Sequence, residues 1–409
     1  MKINKIMAVI SWIGFGGYAL FSPASIAVSQ LFYGLGLAGF IGFLITHRKW
    51  NEIIFAPTGL ILVIIAFVLY RLASMVLAKT DVGQIQEDWL FLMALAGSVM
   101  FREIKNLNRV LDLLAVGILI MGGYGIWQHF VGVDLYHGVL LEKMVFGYRA
   151  IGNYSTYLTF SGFFSVAAIF MVAVAFYSPS RWRRIFYLIA SQVSLIAVLF
   201  NYSRSTIVAL IIGIIILIVL VGRRYRNWIA LVLLISLAIG MVISPDFLSR
   251  FKQMDQTELN VSYSNSRLAI WSATAMMIED YPLFGVGPGN FHDRYIEYRA
   301  SQTGRNLSHA HNDFLNTAAE SGLPAVGLFL LLWIMVLLYL YKGYKACPEG
   351  AQKGMILGSL IASVVFLIMS QFEAFFFDEE VRLLLMFVWG VGMAVIGNLR
   401  ASERLTERA

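Results

Sequence analysis

The stretch YSTYLTFSGFFSVAAIFMVAVAFY, residues 154–177, decides the fold class of this chain. It contains no Lys, Arg, Asp or Glu, and it exceeds the ~20 apolar residues that an α-helix needs to cross a bilayer. The basic turn SPSRWRR, residues 178–184, follows it, and a second apolar run begins at Ile185. Two apolar runs joined by a short basic turn predict two membrane-spanning helices with a loop between them.

Apolar runs of this kind recur along all 409 residues. We predict spans near residues 6–21, 26–46, 57–78, 88–101, 110–131, 154–177, 185–202, 204–221, 228–244, 324–341, 355–373 and 381–398. The fourth run is short for a span. The first is followed at once by the second and lacks a small-residue cleavage site, so we expect a retained helix and no signal peptide. The predicted fold class is an all-α polytopic membrane protein with about twelve transmembrane helices.

Composition supports a membrane protein and argues against other classes. Hydrophobic residues make up 59% of the chain and charged residues 13%, whereas soluble domains are about 25% charged. The net charge of +7 does not indicate a nucleic-acid partner, because most basic residues lie in short clusters between apolar runs. The single cysteine, Cys347, excludes an internal disulfide.

The distribution of Lys and Arg predicts the orientation in the membrane. If the N-terminus is cytoplasmic, seven segments of the chain face the cytoplasm. Together they carry 19 of the 31 Lys and Arg residues, and each of the seven segments contains at least two of them. This bias is typical of cytoplasmic loops. We therefore predict a multi-pass protein of the bacterial inner membrane with both termini cytoplasmic. Residues 1–244 form spans 1–9, residues 245–323 a periplasmic loop, and residues 324–409 spans 10–12 and a cytoplasmic tail.

The periplasmic loop is predicted to contain short helices. One helix should begin near Arg267, after possible caps at residues 264–266, and end before Pro282. A Gly/Pro-rich turn region, PLFGVGPGNF, follows at residues 282–291. A second helix is expected from about His311 to Ser321, with Gly322 as its C-cap and Pro324 opening the tenth span.

His311 is the first candidate for chemistry. It lies in SHAHND, residues 308–313, at the expected start of the second loop helix. A histidine there can act as a general base near neutral pH, because the helix dipole favours the neutral ring. Two other roles stay open, an exposed or capping loop histidine and a metal ligand with His309 and Asp313. Zinc sites commonly have more distinctive spacing, so we predict no metal.

Three arginines on the same side are candidates for binding an anion. Arg204 occupies the tight turn NYSRS, residues 201–205, where a guanidinium can hold an anion through two hydrogen bonds. Arg267 heads the first loop helix, where the helix dipole disfavours a cation and so favours an anionic partner. Arg149, in GYRAIGN at residues 147–153, precedes the sixth span. The alternatives are a snorkelling side chain for Arg204 and a surface salt bridge for Arg267.

Arg71 is the one candidate inside a span. It lies about 10 Å below the outer end of the third span at the helical rise. A charge at that depth costs several kcal/mol unless it is paired or hydrated, so it is a candidate for substrate binding. Pairing with a carboxylate is the alternative. Five acids on the outer side could orient the histidine or an arginine, and the sequence does not choose among Glu320, Glu373, Asp378, Glu379 and Glu380.

Several of these motifs together resemble a known family. HNDFL at residues 311–315, followed by AESGLP at 319–324, is similar to the hallmark segment of the O-antigen ligase and polymerase superfamily. SRST at 203–206, the stretch from SRLAIW at 266–271 to YPLFGVGPGNF at 281–291, and RAIGN at 149–153 agree with it. In motif the resemblance covers about residues 145–325.

The resemblance implies a glycosyltransferase that needs no metal or cofactor. The donor would be a glycan on undecaprenyl diphosphate, and the acceptor a hydroxyl of the lipid A-core oligosaccharide at the periplasmic face. The family's essential histidine corresponds to His311 and its two essential arginines, which would bind the diphosphate, to Arg204 and Arg267. Arg71, Arg149, Asn312 and Glu320 are further candidates for substrate binding. Membrane lipids are the other expected partners.

Two alternatives within the superfamily and one outside it stay open. A repeat-unit polymerase and a protein O-oligosaccharyltransferase use the same donor. We favour a ligase because we expect no appended soluble C-terminal domain and because the His-Asn segment is clear. A transporter would use Arg71 as a substrate site, but the sequence lacks paired Gly/Pro-broken helices in corresponding halves.

Overall fold

The computed structural model describes residues 2–47, 56–80, 87–144, 146–221, 225–228, 230–231, 267–299 and 307–406. These residues are mostly helical. The helices before the long loop are α1 (Lys2–Phe21), α2 (Ile26–Thr46), α3 (Thr58–Ala78), α4 (Phe91–Met100), α5 (Ile104–Val131), α6 (Tyr157–Tyr177), α7 (Arg181–Asn201) and α8 (Arg204–Leu220). Within the predicted loop lie α9 (Arg267–Asp280), α10 (Phe291–Tyr298) and α11 (Asp313–Ser321), and after it come α12 (Leu323–Ala346), α13 (Ala351–Met369) and α14 (Glu379–Thr406).

The predicted spans correspond to these helices. In the described part of the chain, nine helices are long and apolar enough to cross a membrane, and α8 adds a shorter apolar helix of 17 residues. The predicted fourth span is only the ten-residue helix α4. The predicted ninth span, residues 228–244, lies almost wholly outside the described residues. The all-α polytopic fold is confirmed.

Small residues allow the helices to pack closely. A Cβ on Gly14 of α1 would lie 2.1 Å from the backbone nitrogen of Gly36 in α2, and Ser11 Oγ donates to the carbonyl oxygen of Gly36 at 3.0 Å. In lipid, helix association depends on such close packing, because apolar side chains gain little by leaving the hydrocarbon. α1 and α2 therefore form a tight hairpin.

Two helices occupy the centre of the bundle. In the most apolar stretch of α6, and likewise of α14, 94% of the residues are buried inside the protein. Ser359 Oγ of α13 donates to the carbonyl of Val388 in α14 at 2.8 Å, which fixes these two helices together. The segments that precede α6 and α14 are therefore attached to the most buried spans of the described bundle.

A cap, residues 267–299 and 307–322, covers one end of the bundle. It contains α9, α10 and α11, which share a small apolar core of its own. Both predicted loop helices are confirmed, but α10 was not expected from the sequence. The indole Nε1–H of Trp271 in α9 donates to the carbonyl of Ala310 at 3.1 Å and so links α9 to the segment that carries His311.

Glycines let the turn region, residues 282–291, lie against α11 and α3. Gly285 and Gly287 have positive φ, and a Cβ on Gly285 would lie 2.3 Å from the carbonyl carbon of Glu320. The backbone N–H of Gly287 donates to the carbonyl of Glu320 at 2.9 Å. The close approach of two backbones explains why this segment needs glycine.

A short antiparallel hairpin follows α5. Its strands are Val133–Asp134 (β1) and Val139–Leu140 (β2), with Val133 opposite Leu140. The sequence did not predict it.

Candidate functional site

His311 lies directly before α11 and has an unusual backbone conformation. Its φ is +50°, in the left-handed region that residues with a side chain rarely adopt. The next residue, Asn312, is the N-cap of α11, and its Oδ1 accepts from the backbone N–H groups of Phe314 (2.9 Å) and Leu315 (3.0 Å). Such backbone strain costs about 1–3 kcal/mol and clusters at functional sites. The helix starts two residues later than predicted because Asn312 caps it.

Glu373 is the acid that contacts His311. Nδ1 of His311 lies 2.9 Å from both Oε1 and Oε2 of Glu373, whose side chain is 7% exposed. Burial alone would raise the pKa of Glu373, but the hydrogen bond from His311, the charges of His311 and His309 and the N–H of Ala374 outweigh it, so the pKa is lowered. The ionised carboxylate accepts from Nδ1–H, which leaves Nε2 of His311 as the nitrogen able to accept a proton.

His309 lies beside the same carboxylate. Its Nδ1 is 3.4 Å from Oε1 of Glu373 and accepts from the backbone N–H of His311 at 3.3 Å. Burial lowers the pKa of His309 to about 4, against the attraction of Glu373. Within the described residues, His309, His311 and Glu373 form the group whose ligand atoms all lie within 4.8 Å of one another. Glu373 thus occupies the place that the sequence assigned to Asp313 in a possible metal set.

Asp313 instead fixes the acidic loop, residues 370–378, which joins α13 to α14. Its two carboxylate oxygens accept from the backbone N–H of Phe376 at 2.9 and 3.1 Å. Its own N–H donates to the carbonyl of Ser370 at 2.9 Å, and Asn312 Nδ2 donates to the carbonyl of Gln371 at 3.0 Å. Burial raises the pKa of Asp313 well above its ordinary value, although the N–H of Phe376 opposes this. These bonds fix the position of the acidic loop, which carries Glu373, relative to the start of α11, which follows His311.

Arg267 lies next to the His311–Glu373 pair. Its Nε and Nη2 donate to the backbone carbonyl of Phe372 at 3.3 and 3.0 Å. Because Phe372 directly precedes Glu373, the guanidinium is held within one residue of the carboxylate that orients His311. Both bonds are to a neutral carbonyl, and among the described residues no carboxylate pairs with Arg267.

Arg204 lies at the same end of the bundle. In the turn that carries it, Asn201 Nδ2 donates to the carbonyl of Tyr157 at the start of α6 at 2.7 Å. Two residues further along α6, Thr159 Oγ1 donates to Oδ2 of Asp378 in the acidic loop at 2.6 Å. The turn of Arg204 and the acidic loop therefore both abut the N-terminal end of α6. The side chain of Arg204 is half-buried.

Arg149 is committed to local contacts. Its Nη1 pairs with Oε2 of Glu142 at 2.6 Å, and its guanidinium lies 4.2 Å from the centre of the Tyr157 ring. Tyr157 is also the residue whose carbonyl accepts from Asn201. Arg149 is therefore a neighbour of the turn that carries Arg204, and no described contact joins it to His311.

Arg71 belongs to a buried charge cluster beneath the cap. Nη1 of Arg71 and Nη2 of Arg382 in α14 both donate to Oδ1 of Asp88, and all three side chains are at most 2% exposed. The Arg382 guanidinium lies 4.2 Å from the centre of the Phe376 ring in the acidic loop. The pairing that was the alternative for Arg71 is thus present. The cluster therefore contacts the acidic loop through Arg382 and Phe376. No contact among the described residues joins Arg71 to His311.

Glu320 connects α11 to the turn region. Its Oε1 accepts from the N–H of Gly289 at 3.1 Å, and its own backbone carbonyl accepts from Ser74 Oγ of α3 at 3.2 Å. Burial raises the pKa of Glu320 to about 7, although the positive charge of Arg71 opposes the shift. Of the five acids considered from sequence, Glu373 and not Glu320 contacts His311.

Part of the chain is similar to a known protein family. Residues 189–330 match the family model described as O-antigen ligase. The match supports membership of the O-antigen ligase superfamily. No curated protein sequence matches the chain. The superfamily consists of membrane glycosyltransferase-type enzymes, ligases and polymerases, and the match is consistent with a multi-pass bacterial membrane protein.

The part that matches the O-antigen ligase model contains five of the seven candidate site residues. Arg204, Arg267 and His311 lie within residues 189–330, as do Asn312 and Glu320. Glu373 lies outside, as do Arg71 and Arg149. The acid that orients the histidine therefore comes from a part of the chain beyond the matched segment.

Sequence reasoning missed several residues that build the site. Asp313 was considered only as a metal ligand, although an acid immediately after a capping asparagine is a common first-turn residue. Asp88 and Arg382 were not considered, yet a charged residue inside an apolar run is itself a signal that a partner exists. The carbonyl of Phe372 carries no signal in sequence.

Proposed function

We propose that the protein transfers O-antigen polysaccharide from undecaprenyl diphosphate to a hydroxyl of the lipid A-core oligosaccharide, at the periplasmic face of the bacterial inner membrane. The observation that carries the proposal is the contact of His311 Nδ1 with both oxygens of Glu373 at 2.9 Å. A buried carboxylate that fixes the tautomer of a histidine is the arrangement by which enzymes prepare a general base.

His311 acts as the base in this proposal. Nε2 takes the proton of the acceptor hydroxyl while its oxygen attacks the anomeric carbon of the donor sugar, and the bond from that carbon to the diphosphate breaks. Glu373 stabilises the imidazolium that forms. A single displacement inverts the anomeric carbon. Retained configuration in the purified product would exclude the one-step reaction.

Arg267 and Arg204 bind the diphosphate of the donor. The leaving group gains negative charge in the transition state, and preorganised guanidiniums stabilise it without a metal ion. Arg267 supports this role through its position, because it is fixed beside Glu373 by two bonds to Phe372. Arg204 supports it by lying at the same end of α6 as the acidic loop. The lipid tail of the donor stays in the membrane while the saccharide acceptor approaches from water.

The proposal is tested with the purified full chain in detergent, lipid-linked glycan and lipid A-core acceptor, without an ion gradient. We expect transfer by the wild type, and a loss of about 100-fold or more in His311→Ala, since general bases contribute about 10²–10⁴-fold. His137→Ala is the matched control, because His137 pairs with Asp134 near the hairpin. If the wild-type protein transfers no sugar, the proposal that it is a glycosyltransferase is wrong. If His311→Ala keeps full activity, the assignment of His311 as the general base is wrong. A chelator should not inhibit.

Ligase and polymerase are separated in cells that lack the protein. A missing ligase leaves long lipid-linked chains that are not attached to the lipid A-core. A missing polymerase leaves only single repeat units on the lipid. If the cells lack the long lipid-linked chains, the protein is a polymerase that uses the same site, and the assignment as a ligase is wrong.

A further inference from the structure

We propose that His309, His311 and Glu373 form a binding site for a Zn²⁺-class divalent cation, and that its occupation switches transfer off. The inhibitory effect rests on the function proposed above, whereas the binding of the cation does not. The site is a candidate on geometry alone, because the ligand atoms of these three residues lie within 4.8 Å of one another.

The spacing of the ligand atoms fits a small tetrahedral ion. Metal–ligand bonds of about 2.0–2.1 Å place tetrahedral ligands about 3.3 Å apart. In the structure Nδ1 of His311 lies 2.9 Å, and Nδ1 of His309 3.4 Å, from the carboxylate of Glu373. Both distances to the carboxylate are thus within half an ångström of the tetrahedral value, and the ligand atoms of the two histidines are at most 4.8 Å apart. A cation can therefore be bound after side-chain shifts, in which Nδ1 of His309 exchanges its hydrogen bond from the N–H of His311 for the cation.

The surroundings of the carboxylate are those of a built site. Glu373 is 7% exposed, and the backbone N–H of Ala374 donates to its Oε1 at 3.1 Å, which fixes its orientation. Hydrogen bonds of this kind to a ligating carboxylate strengthen metal binding. The two imidazoles are 30% and 23% exposed, so the cation can reach them from water.

The donor set selects the class of cation. Two imidazole nitrogens and one carboxylate oxygen form a set used by zinc enzymes, with a fourth position open to water. Imidazole also suits Co²⁺, Ni²⁺ and Cu²⁺, whereas Mg²⁺ and Ca²⁺ prefer oxygen ligands. Zn²⁺ and Co²⁺ are therefore the appropriate probes, and Mg²⁺ is the negative control.

Occupation of the site removes the base by changing the tautomer of His311. A neutral imidazole carries one N–H. In the metal-free protein this proton is on Nδ1, directed to Glu373, and Nε2 has the free lone pair. When Nδ1 binds the cation, the proton moves through solvent to Nε2, and no proton is lost or gained by the ring. Nε2 then has no lone pair for the acceptor hydroxyl, and Glu373 no longer stabilises an imidazolium.

The binding experiment uses the full chain in detergent, freed of metal by a chelator that is then removed. Titration with Co²⁺ is expected to produce visible ligand-field bands that Zn²⁺ abolishes and Mg²⁺ does not. His309→Asn should weaken Co²⁺ binding by about 10–100-fold or more, because even indirect partners of metal ligands contribute that much. His137→Asn, in a separate histidine–carboxylate pair, should bind Co²⁺ like the wild type.

The inhibition experiment measures transfer against Zn²⁺ concentration, each variant relative to its own metal-free rate. We expect Zn²⁺ to inhibit the wild type, a chelator to reverse this, and His309→Asn to raise the half-inhibitory concentration at least tenfold. The proposed cation site is wrong if Co²⁺ produces no ligand-field bands in the wild-type protein. It is also wrong if the bands are unchanged in both His309→Asn and Glu373→Gln. Binding without inhibition overturns the switch, and activation by Zn²⁺ overturns the tautomer argument. Specific bands in a protein that never transfers sugar leave the site standing and defeat the proposed function.

Discussion

Replacing Glu373 by Gln tests whether the buried carboxylate prepares His311. The substitution preserves the volume of the side chain but removes the negative charge that faces Nδ1 of His311 at 2.9 Å. A hydrogen bond to a charged group contributes about 1.5–3 kcal/mol, and each 1.36 kcal/mol is tenfold in rate. We therefore expect the turnover rate to fall by about 10–150-fold.

The orientation of the amide decides whether the loss of turnover stays within that range or exceeds it. If the Gln carbonyl faces His311, Nδ1–H keeps an acceptor and only the charge is lost. If the NH₂ group faces His311, it needs Nδ1 as an acceptor, which moves the ring proton to Nε2 and removes the base. A loss larger than 150-fold indicates the second case, because the wrong tautomer cannot accept the proton.

The assay is transfer of lipid-linked glycan by purified protein at saturating donor, compared with thermal unfolding of the same sample. Glu297→Gln is the matched control, because Glu297 is an exposed acid of the cap that pairs with Arg294 at 3.1 Å. Its rate should stay within about twofold of the wild type, since exposed pairs contribute little. A folded Glu373→Gln protein with wild-type turnover would refute the reasoning.

Three further predictions address the rest of the site. Arg204→Lys keeps the charge but loses the fork, so transfer should fall at least about tenfold while Arg294→Lys transfers normally. Burial raises the pKa of Glu320 from 4.5 to about 7, so the free energy of unfolding should fall by about 3 kcal/mol as pH rises from about 4.5 to 7. Glu320→Gln should abolish this fall in stability, which can be measured through labelling of the buried Cys347. A pH profile of stability unchanged by the substitution would contradict the prediction. Asp88→Asn should destabilise the fold by about 3–5 kcal/mol, because it leaves two buried guanidiniums without their shared carboxylate, and a melting temperature equal to that of the wild type would refute that role.

The fold could be predicted because its signals are local. A span is recognised from about 20 consecutive residues, and caps such as Asn312 and Gly322 act within three or four residues. The helix at Phe291–Tyr298 was missed for the same reason, since its eight residues include only a few apolar positions and follow a glycine-rich turn. Local patterns predict elements, and short polar elements have weak patterns.

The contacts of the site could not be predicted because they join distant parts of the chain. Glu373 is 62 residues from His311, and Arg382 is 294 residues from Asp88. Five acids on the outer side met the chemical requirement for orienting the histidine. The choice among them depends on which loop the bundle brings beside α11, and that depends on how α13 and α14 pack with each other.

The distance between His311 and Glu373 is fixed by backbone contacts and not by the two side chains alone. The first residues of α11 and the acidic loop share bonds through Asn312 and Asp313, which engage the backbone of Ser370, Gln371 and Phe376. The acidic loop continues into α14, one of the two most buried helices. Because these bonds are buried, separating the pair would leave several backbone groups unsatisfied, at about 1–3 kcal/mol each. For the proposed transfer reaction, we therefore expect the histidine and its carboxylate to stay together while the donor binds, and any movement that admits the donor to involve other parts of the cap.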